Sequence, residues 1–414
     1  MQKPPRTTRL LRYYLFRTRR LTRRQLGTLN DWKLRAVFWV GAILVGVVVQ
    51  LFAWAADFSA HQFDLLREWN VYAPLVVTPL GLVMIVWLMN HSSPAARGSG
   101  IPQVLVVLKQ RYKWLRPTFL SIRVVLAKFA LTCFGLMCGG SLGREGPSVH
   151  IGAALMHQVG RWGRLEDKYV DNALIVAGGA AGVSAAFNAP LAGVVFAIEE
   201  LSQSFEQRTT GTLIVAIILS GVVVLAMAGH YSFFGQPEPQ LILIDYWLQI
   251  IATAVLCGLL GGLFVWLLMR GSLMLAPQVR KHPYRVALAC GLLVALIGFL
   301  SGGITFGSGY DEARALIEQK DEPGLLFPLA KMASTLLTYF TGVPGGLFSP
   351  SLATGAGIGA FMGHLFQDTS VVGVTLVGMA AFLAGVTQRP ITAFVIVMEL
   401  TGNRHDILLP LMAG

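Results

Sequence analysis

Seven stretches of this chain are apolar for the length of a bilayer crossing or close to it, and few architectures accept that. The uninterrupted ones are 36–56 (AVFWVGAILVGVVVQLFAWAA), 73–90, 211–229, 247–269 and 286–300, while 173–198 and 371–398 carry glycine, proline and polar residues inside them. A helix needs about 20 apolar residues to cross the hydrocarbon layer. The chain is 54% hydrophobic and 13% charged over 414 residues, with a mean hydropathy of +0.62. So little polar sequence is left that the expectation is one all-α polytopic membrane domain, not a soluble domain with an anchor.

The formal net charge of +12 is concentrated in the first 35 residues, which hold Lys3, Arg6, Arg9, Arg12, Arg17, Arg19, Arg20, Arg23, Arg24, Lys33 and Arg35 against Asp31 alone. A basic segment abutting a span is a topology signal that places the N-terminus in the cytoplasm, and no nucleic-acid partner is read from it. An Arg-rich transit peptide has a similar composition; a secretory signal does not, because the apolar run that follows is of spanning length. Cys133, Cys138, Cys257 and Cys290 lie in apolar segments without CxxC spacing, and read as small buried hydrophobes. There is no GxxxxGK[ST] or HExxH pattern, so neither a nucleotide-driven pump, a metal site nor a cofactor is indicated.

The chain repeats itself. GSG at 98–100 returns at 307–309; GREGPS at 143–148 matches GLFSPS at 346–351 in its Gly, Pro and Ser; and AAGVSAAFNAPLAGVVFAIEEL (180–201) resembles AAFLAGVTQRPITAFVIVMEL (380–400). Three matches in one order, at offsets of 209, 203 and 200 residues, mark a duplicated unit. The expected organisation is a basic segment 1–35, a first membrane repeat 36–235 and a second 236–414. Secondary transporters are commonly built so, often with inverted halves and a binding site between broken helices.

Inside each repeat the recurring form is small residues, then proline, then an apolar helix, as in GSGIPQVLVVL (98–108), GREGPSVHIGAAL (143–155) and GGLFSPSLATGAGIGAF (345–361). A helix that starts this way presents unpaired backbone N–H groups and the positive end of its dipole. Several such starts converging on one point form an anion site with no buried full positive charge. Arg144 and Glu145 stand in the middle of one of these starts, where an unneeded charge would be costly.

GSGIP (98–102), GREGP (143–147) and GGLFSP (345–350), continued by FNAPLAGVVFAIEE (187–200) and TQRPITAFVIVMELT (387–401), resemble the signatures of the CLC chloride channels and chloride/proton antiporters, over roughly residues 37–412. The resemblance implies an inverted-repeat bundle with broken and re-entrant helices, assembled as a homodimer in a prokaryotic inner membrane. It implies transport of chloride and protons, not enzymatic catalysis. By the same resemblance Glu145 is the gating carboxylate and Glu200 the inner proton-transfer residue. The anion positions are Ser99 with Gly100 and Ile101, the amides of Arg144 and Gly146, and those of Leu347 and Phe348. Arg144 reads equally well as a helix-end anchor.

Glu199 pairs with Glu399 in the repeat, which makes that position structural, whereas Glu200 pairs with Leu400 and is free for a task of its own. Glu200 favours an antiporter over a passive gated chloride channel of the same fold; Ser99 speaks against a fluoride-selective relative. The family pattern continues past Gly414 to a helix with an anion-coordinating tyrosine, and none of the tyrosines present is assigned that role. An intramembrane hydrolase would need Ser148 and His150 to pair as nucleophile and base.

Overall fold

The computed structural model describes residues 29–165, 168–201, 210–229, 233–235, 243–320, 324, 326–366, 371–402 and 412. The basic residues before 29 lie outside them. The first half contains α1 (Leu29–Trp69), α2 (Pro74–Ser92), α3 (Ile101–Leu108), α4 (Arg116–Phe119), α5 (Ile122–Met137), α6 (Glu145–Trp162), α7 (Lys168–Phe187), α8 (Pro190–Phe196) and α9 (Thr210–Ala228). The second contains α10 (Leu243–Lys281), α11 (Pro283–Leu300), α12 (Tyr310–Ile317), α13 (Leu326–Phe340), α14 (Phe348–Leu365), α15 (Val371–Thr387) and α16 (Pro390–Leu400). Residues 29–35 already belong to α1.

Among the described residues six helices are long and apolar enough to cross a membrane, seven if the pair Arg111–Phe119 and Ile122–Met137, bent by 62°, counts as one. The outer ones keep large apolar side chains on the surface, such as Leu259 and Trp266 of α10. In water that surface would be a liability; against lipid it is the expected one. The two apolar runs that carry internal proline are broken where the sequence places Asn188 and Gln388. Both residues adopt positive φ, 52° and 57°, and each helix restarts at the following proline, Pro190 or Pro390.

The duplication is visible element by element. α1 and α10 have 41 and 39 residues, α3 and α12 have 8 each, and α6 and α14 have 18 each. The residue preceding α6, Arg144, has φ −96° and ψ −13°; its counterpart Leu347 has −106° and −10°. α3 and α12 both start behind a left-handed residue, Gly100 at φ 105° and Gly309 at φ 80°, which only glycine adopts without cost. α6 and α14 are buried along most of their length, each packed on the next helix, α7 or α15. They form the centre of the molecule rather than its lipid-facing wall.

At that centre the two signature loops pair directly. Gly143 N donates to Gly346 O at 2.8 Å, and Gly346 N donates to Gly143 O at 2.6 Å. This reciprocal antiparallel bridge joins equivalent residues of the two repeats, so a local two-fold relation passes between them.

Candidate functional site

Glu145 opens α6 and is 1% exposed. Its carboxylate is not held by the amides at the start of its own helix. It reaches across to the equivalent helix start of the other repeat: Ser349 Oγ donates to Oε1 at 2.5 Å, and Ser349 N lies 3.4 Å from Oε2. A carboxylate there faces the dipoles of α6 and α14 together. The neighbouring Arg144 turns away, ion-paired to Asp57 of α1, donating to Ala53 O at 3.0 Å, with its guanidinium 5.7 Å from the Phe233 ring.

Ser99 comes from the loop before α3, and α3 packs on α6. A Cβ on Gly146 would strike Ser99 Oγ, and one on Gly346 would lie 2.8 Å from Gly146 N. Glycine at 146 and 346 is therefore what allows Ser99 and the two signature loops to meet. Leu347 and Phe348 close the same region, with the Phe348 ring 6.4 Å from Phe187 and 6.3 Å from Phe196. The structure thus brings together Ser99, Glu145, Gly146, Leu347 and Phe348, with Gly100 and Ile101 at the head of α3.

Cavities approach this cluster from two ends. One, of about 580 Å³, is lined by Glu145, Arg144, Ser349, Asp57, Asp64 and Asp311 among others. A second, of about 760 Å³, is lined by Ser99, Arg97, Arg280 and Tyr339 among others. Leu136, in the last turn of α5, faces the first cavity, whereas Phe119, just ahead of α5, faces the second. The 16 residues of α5 correspond to about 24 Å of helix between them. Glu145 lines one cavity, and Ser99, which abuts Gly146, lines the other. Gly146 stands between these two lining residues.

The first cavity is acidic. Burial, and next the carboxylates of Asp64 and Asp57, push the Asp311 carboxyl above its ordinary value. The second is basic. Arg97, two residues before Ser99, lines it, whereas the further cation Arg116 does not. It is buried, ion-paired to Asp171, bonded to Asn172 and donating to Val107 O, so it ties the end of α3 to α7.

A third cavity, of about 240 Å³, contains Ser99, Leu347, Phe348, Glu200 and Arg389 in its wall. Glu200 lies in a wide π turn, Ala197–Leu201, that continues α8. Such a turn interrupts the regular spacing of side chains and recurs at functional sites. Glu200 Oε2 accepts from Arg389 Nε at 2.5 Å. Glu199, one residue before, caps α16: its carboxylate accepts from Ile391 N at 3.3 Å and Thr392 N at 2.6 Å. Glu399 does the same for α8, accepting from Leu191 N at 3.0 Å and Ala192 N at 2.7 Å. The repeat-matched glutamates clamp the two helix starts reciprocally, and the unmatched Glu200 faces the cavity. Glu199→Gln or Glu399→Gln replaces one charged acceptor by a neutral one, with an expected loss of about 1–3 kcal/mol, read as earlier thermal unfolding of the detergent-purified protein.

Two residues were missed in the sequence. Lys128 and Lys331 are both fully buried; Lys128 Nζ donates to Gly98 O at 2.8 Å, and Lys331 Nζ donates to the carbonyls of Thr305, Phe306 and Gly307 at 3.0–3.1 Å. They stand 203 residues apart, as Gly143 and Gly346 do, so the duplication itself was the signal. Ser148 and His150 do not pair. Ser148 Oγ donates to Arg144 O and His150 Nε2 bonds Phe119 O, so these two do not act as nucleophile and base.

The profile of the voltage gated chloride channel family matches residues 80–414. The chain belongs to this family. It is 31% identical to the H(+)/Cl(−) exchange transporter ClcA of Yersinia pestis bv. Antiqua (strain Angola), over 92% of this chain and 84% of the relative. It is 29% identical to ClcA of Citrobacter koseri over 91% and 79%. Its fold is similar to that of a CLC-type fluoride/proton antiporter, with a TM-score of 0.81 at 23% identity over 94% of this chain and 96% of that one. A slow cyanobacterial Cl−/H+ antiporter gives 0.81 at 23% over 92% of each. An inverted-repeat bundle and an integral membrane protein are thereby established.

Proposed function

We propose that this chain is a secondary transporter that exchanges chloride for protons. The observation that carries the reading is the position of Glu145, a buried carboxylate beside Gly146 between two cavities, held by the helix start of the opposite repeat. Chloride and a carboxylate compete for the same donors there. Ser99 with Gly100 and Ile101, the amides of Arg144 and Gly146, and those of Leu347 and Phe348 form the anion path. Arg144, tied to Asp57, anchors the helix start. The acidic cavity is the outer vestibule and the basic one the inner.

A proton cannot cross hydrocarbon as an isolated charge and needs a titratable station near each end of its route. Glu145 serves the outer part and Glu200, in the wall of the cavity that also holds Ser99, the inner part. The names of the ClcA relatives support exchange over a passive channel. The functional unit is a homodimer in lipid, in a prokaryotic inner membrane, with the N-terminus in the cytoplasm and the two repeats oppositely oriented. Leu191, Ile198 and Ile391 project apolar side chains beside the Glu199–Glu399 clamp, on a face suited to the partner subunit.

The test is simultaneous chloride and proton flux from the purified protein in liposomes. Chloride moving one way is expected to drive protons the other. In Glu200→Gln, chloride flux persists while coupled proton flux falls by about two orders of magnitude. The matching position holds Leu400, so the fold accepts an uncharged side chain there. Chloride flux without protons in the unaltered protein would establish the passive channel instead.

A further inference from the structure

Glu200 and Arg389 share a contact that the proton route alone leaves unexplained. A proton station needs a carboxylate and access to water. This one is held by a guanidinium at 2.5 Å, in the wall of the cavity that also holds Ser99, Leu347 and Phe348. Arg389 spends Nε on Glu200, and its remaining N–H donors belong to a side chain still 42% exposed. Its backbone is fixed by the break before Pro390, and its partner's turn is fixed by the Glu199 clamp. The start of α16 and the π turn at the end of α8 therefore hold the ion pair between them.

We infer that Arg389 is an anion-capture residue of the inner cavity, binding a small inorganic anion such as chloride when Glu200 is protonated. The inference rests on the reading of Glu200 as the inner proton station. With Glu200 ionised, the guanidinium is neutralised by the carboxylate. A proton taken up on Glu200 from the inner solution removes that charge, and chloride replaces it beside Arg389. The net charge of the pair and its bound ions stays the same through the exchange, which avoids an unpaired ion in a half-buried place. Linkage makes the relation reciprocal: protonation of Glu200 favours chloride, and chloride favours the proton.

The charged or titratable groups around Glu200, among the described residues, are few. α16 contributes Arg389 and Glu399, and Glu399 is turned to the amides of α8. Glu199 of the same π turn is turned to the amides of α16. Tyr339 of α13 stands in the cavity wall, and α10 contributes only the apolar Val265 and Leu268 there. Among the described residues, Arg389 is the cation in the wall of this cavity.

The test is the chloride dependence of exchange in liposomes for Arg389→Gln, Arg389→Lys, Glu200→Gln and the double variant. Arg389→Gln should raise the KM for chloride about threefold to tenfold, with turnover at saturating chloride within about twofold of the parent. Arg389→Lys restores most of the affinity. Glu200→Gln leaves the guanidinium permanently available and lowers the KM, and adding Arg389→Gln cancels that gain. An unchanged KM in Arg389→Gln, or a gain in Glu200→Gln that survives loss of the arginine, overturns the inference. If Arg389→Gln is not recovered folded, Glu200→Gln decides alone: a lowered KM supports the capture site and an unchanged one removes it. Proton flux in Glu200→Gln is a separate readout. Persistent coupling there defeats the proton-station reading, whereas the KM of Arg389→Gln bears on the arginine by itself.

Discussion

Glu145→Gln should move chloride and return no protons. The carboxylate is 1% exposed and takes both of its hydrogen bonds from Ser349, the hydroxyl at 2.5 Å and the amide at 3.4 Å. Glutamine has the same shape but no charge to set against the dipoles of α6 and α14. Its carbonyl can still accept from Ser349 N and its NH₂ can donate to the Ser349 hydroxyl, so what is lost is the charge that both dipoles hold. The side chain loses its hold on the barrier, and an anion can take the place it vacates. It also cannot bind and release a proton, which ends the outer half of the proton route. Chloride flux is expected to stay within about tenfold of the parent, while the loss of an essential acid–base group removes about two or more orders of magnitude of proton flux. Proton uptake into liposomes driven by a chloride gradient measures this. Undiminished uptake in Glu145→Gln would mean that protons take another path.

Much of this site could be read from the linear chain because the duplication left a record in it. The helix starts at Ile101, Glu145 and Phe348 fall where small residues and proline announce them, and the breaks at Asn188 and Gln388 fall just ahead of Pro190 and Pro390. Other features depend on contacts between the repeats, which local spacing does not encode. Nothing near Glu145 in sequence says that its carboxylate is held by Ser349, 204 residues away. The cross-capping of Glu199 and Glu399 was foreshadowed only as a shared structural role, since pairing two positions in a repeat does not say what they touch. Nothing in the basic stretch around Arg116 shows that it is buried, because the half-buried Asp171 that claims it lies 55 residues on. The π turn carrying Glu200 has no local signature at all, as the residues AIEEL suit an ordinary helix equally well.

The other large effect concerns Lys331. Replacing a buried lysine by methionine often stabilises a protein, because the cost of desolvating the charge disappears. Here the opposite is expected, and the reason lies in the acceptors. Lys331 Nζ donates to Thr305 O, Phe306 O and Gly307 O at 3.1, 3.0 and 3.0 Å. These carbonyls belong to the irregular segment ahead of α12, where Gly303, Gly307 and Gly309 all have positive φ and the chain makes no regular ladder. Within a membrane protein no bulk water can replace the ammonium, so three carbonyls would be left unpaired. At about 1–3 kcal/mol for each, the loss outweighs the desolvation that methionine relieves. Lys331→Met should therefore give little or no folded protein, read as aggregation on size-exclusion chromatography after extraction. Lys128→Met is the control supplied by the duplication. Lys128 donates to one carbonyl, Gly98 O, and stands beside the Ser99–Gly100 loop. It should fold with a loss of about 1–3 kcal/mol and bind chloride more weakly, because the side chain that holds that loop is gone. If both variants fold alike and melt like the parent, the lysines are not what holds the GSG loops in place.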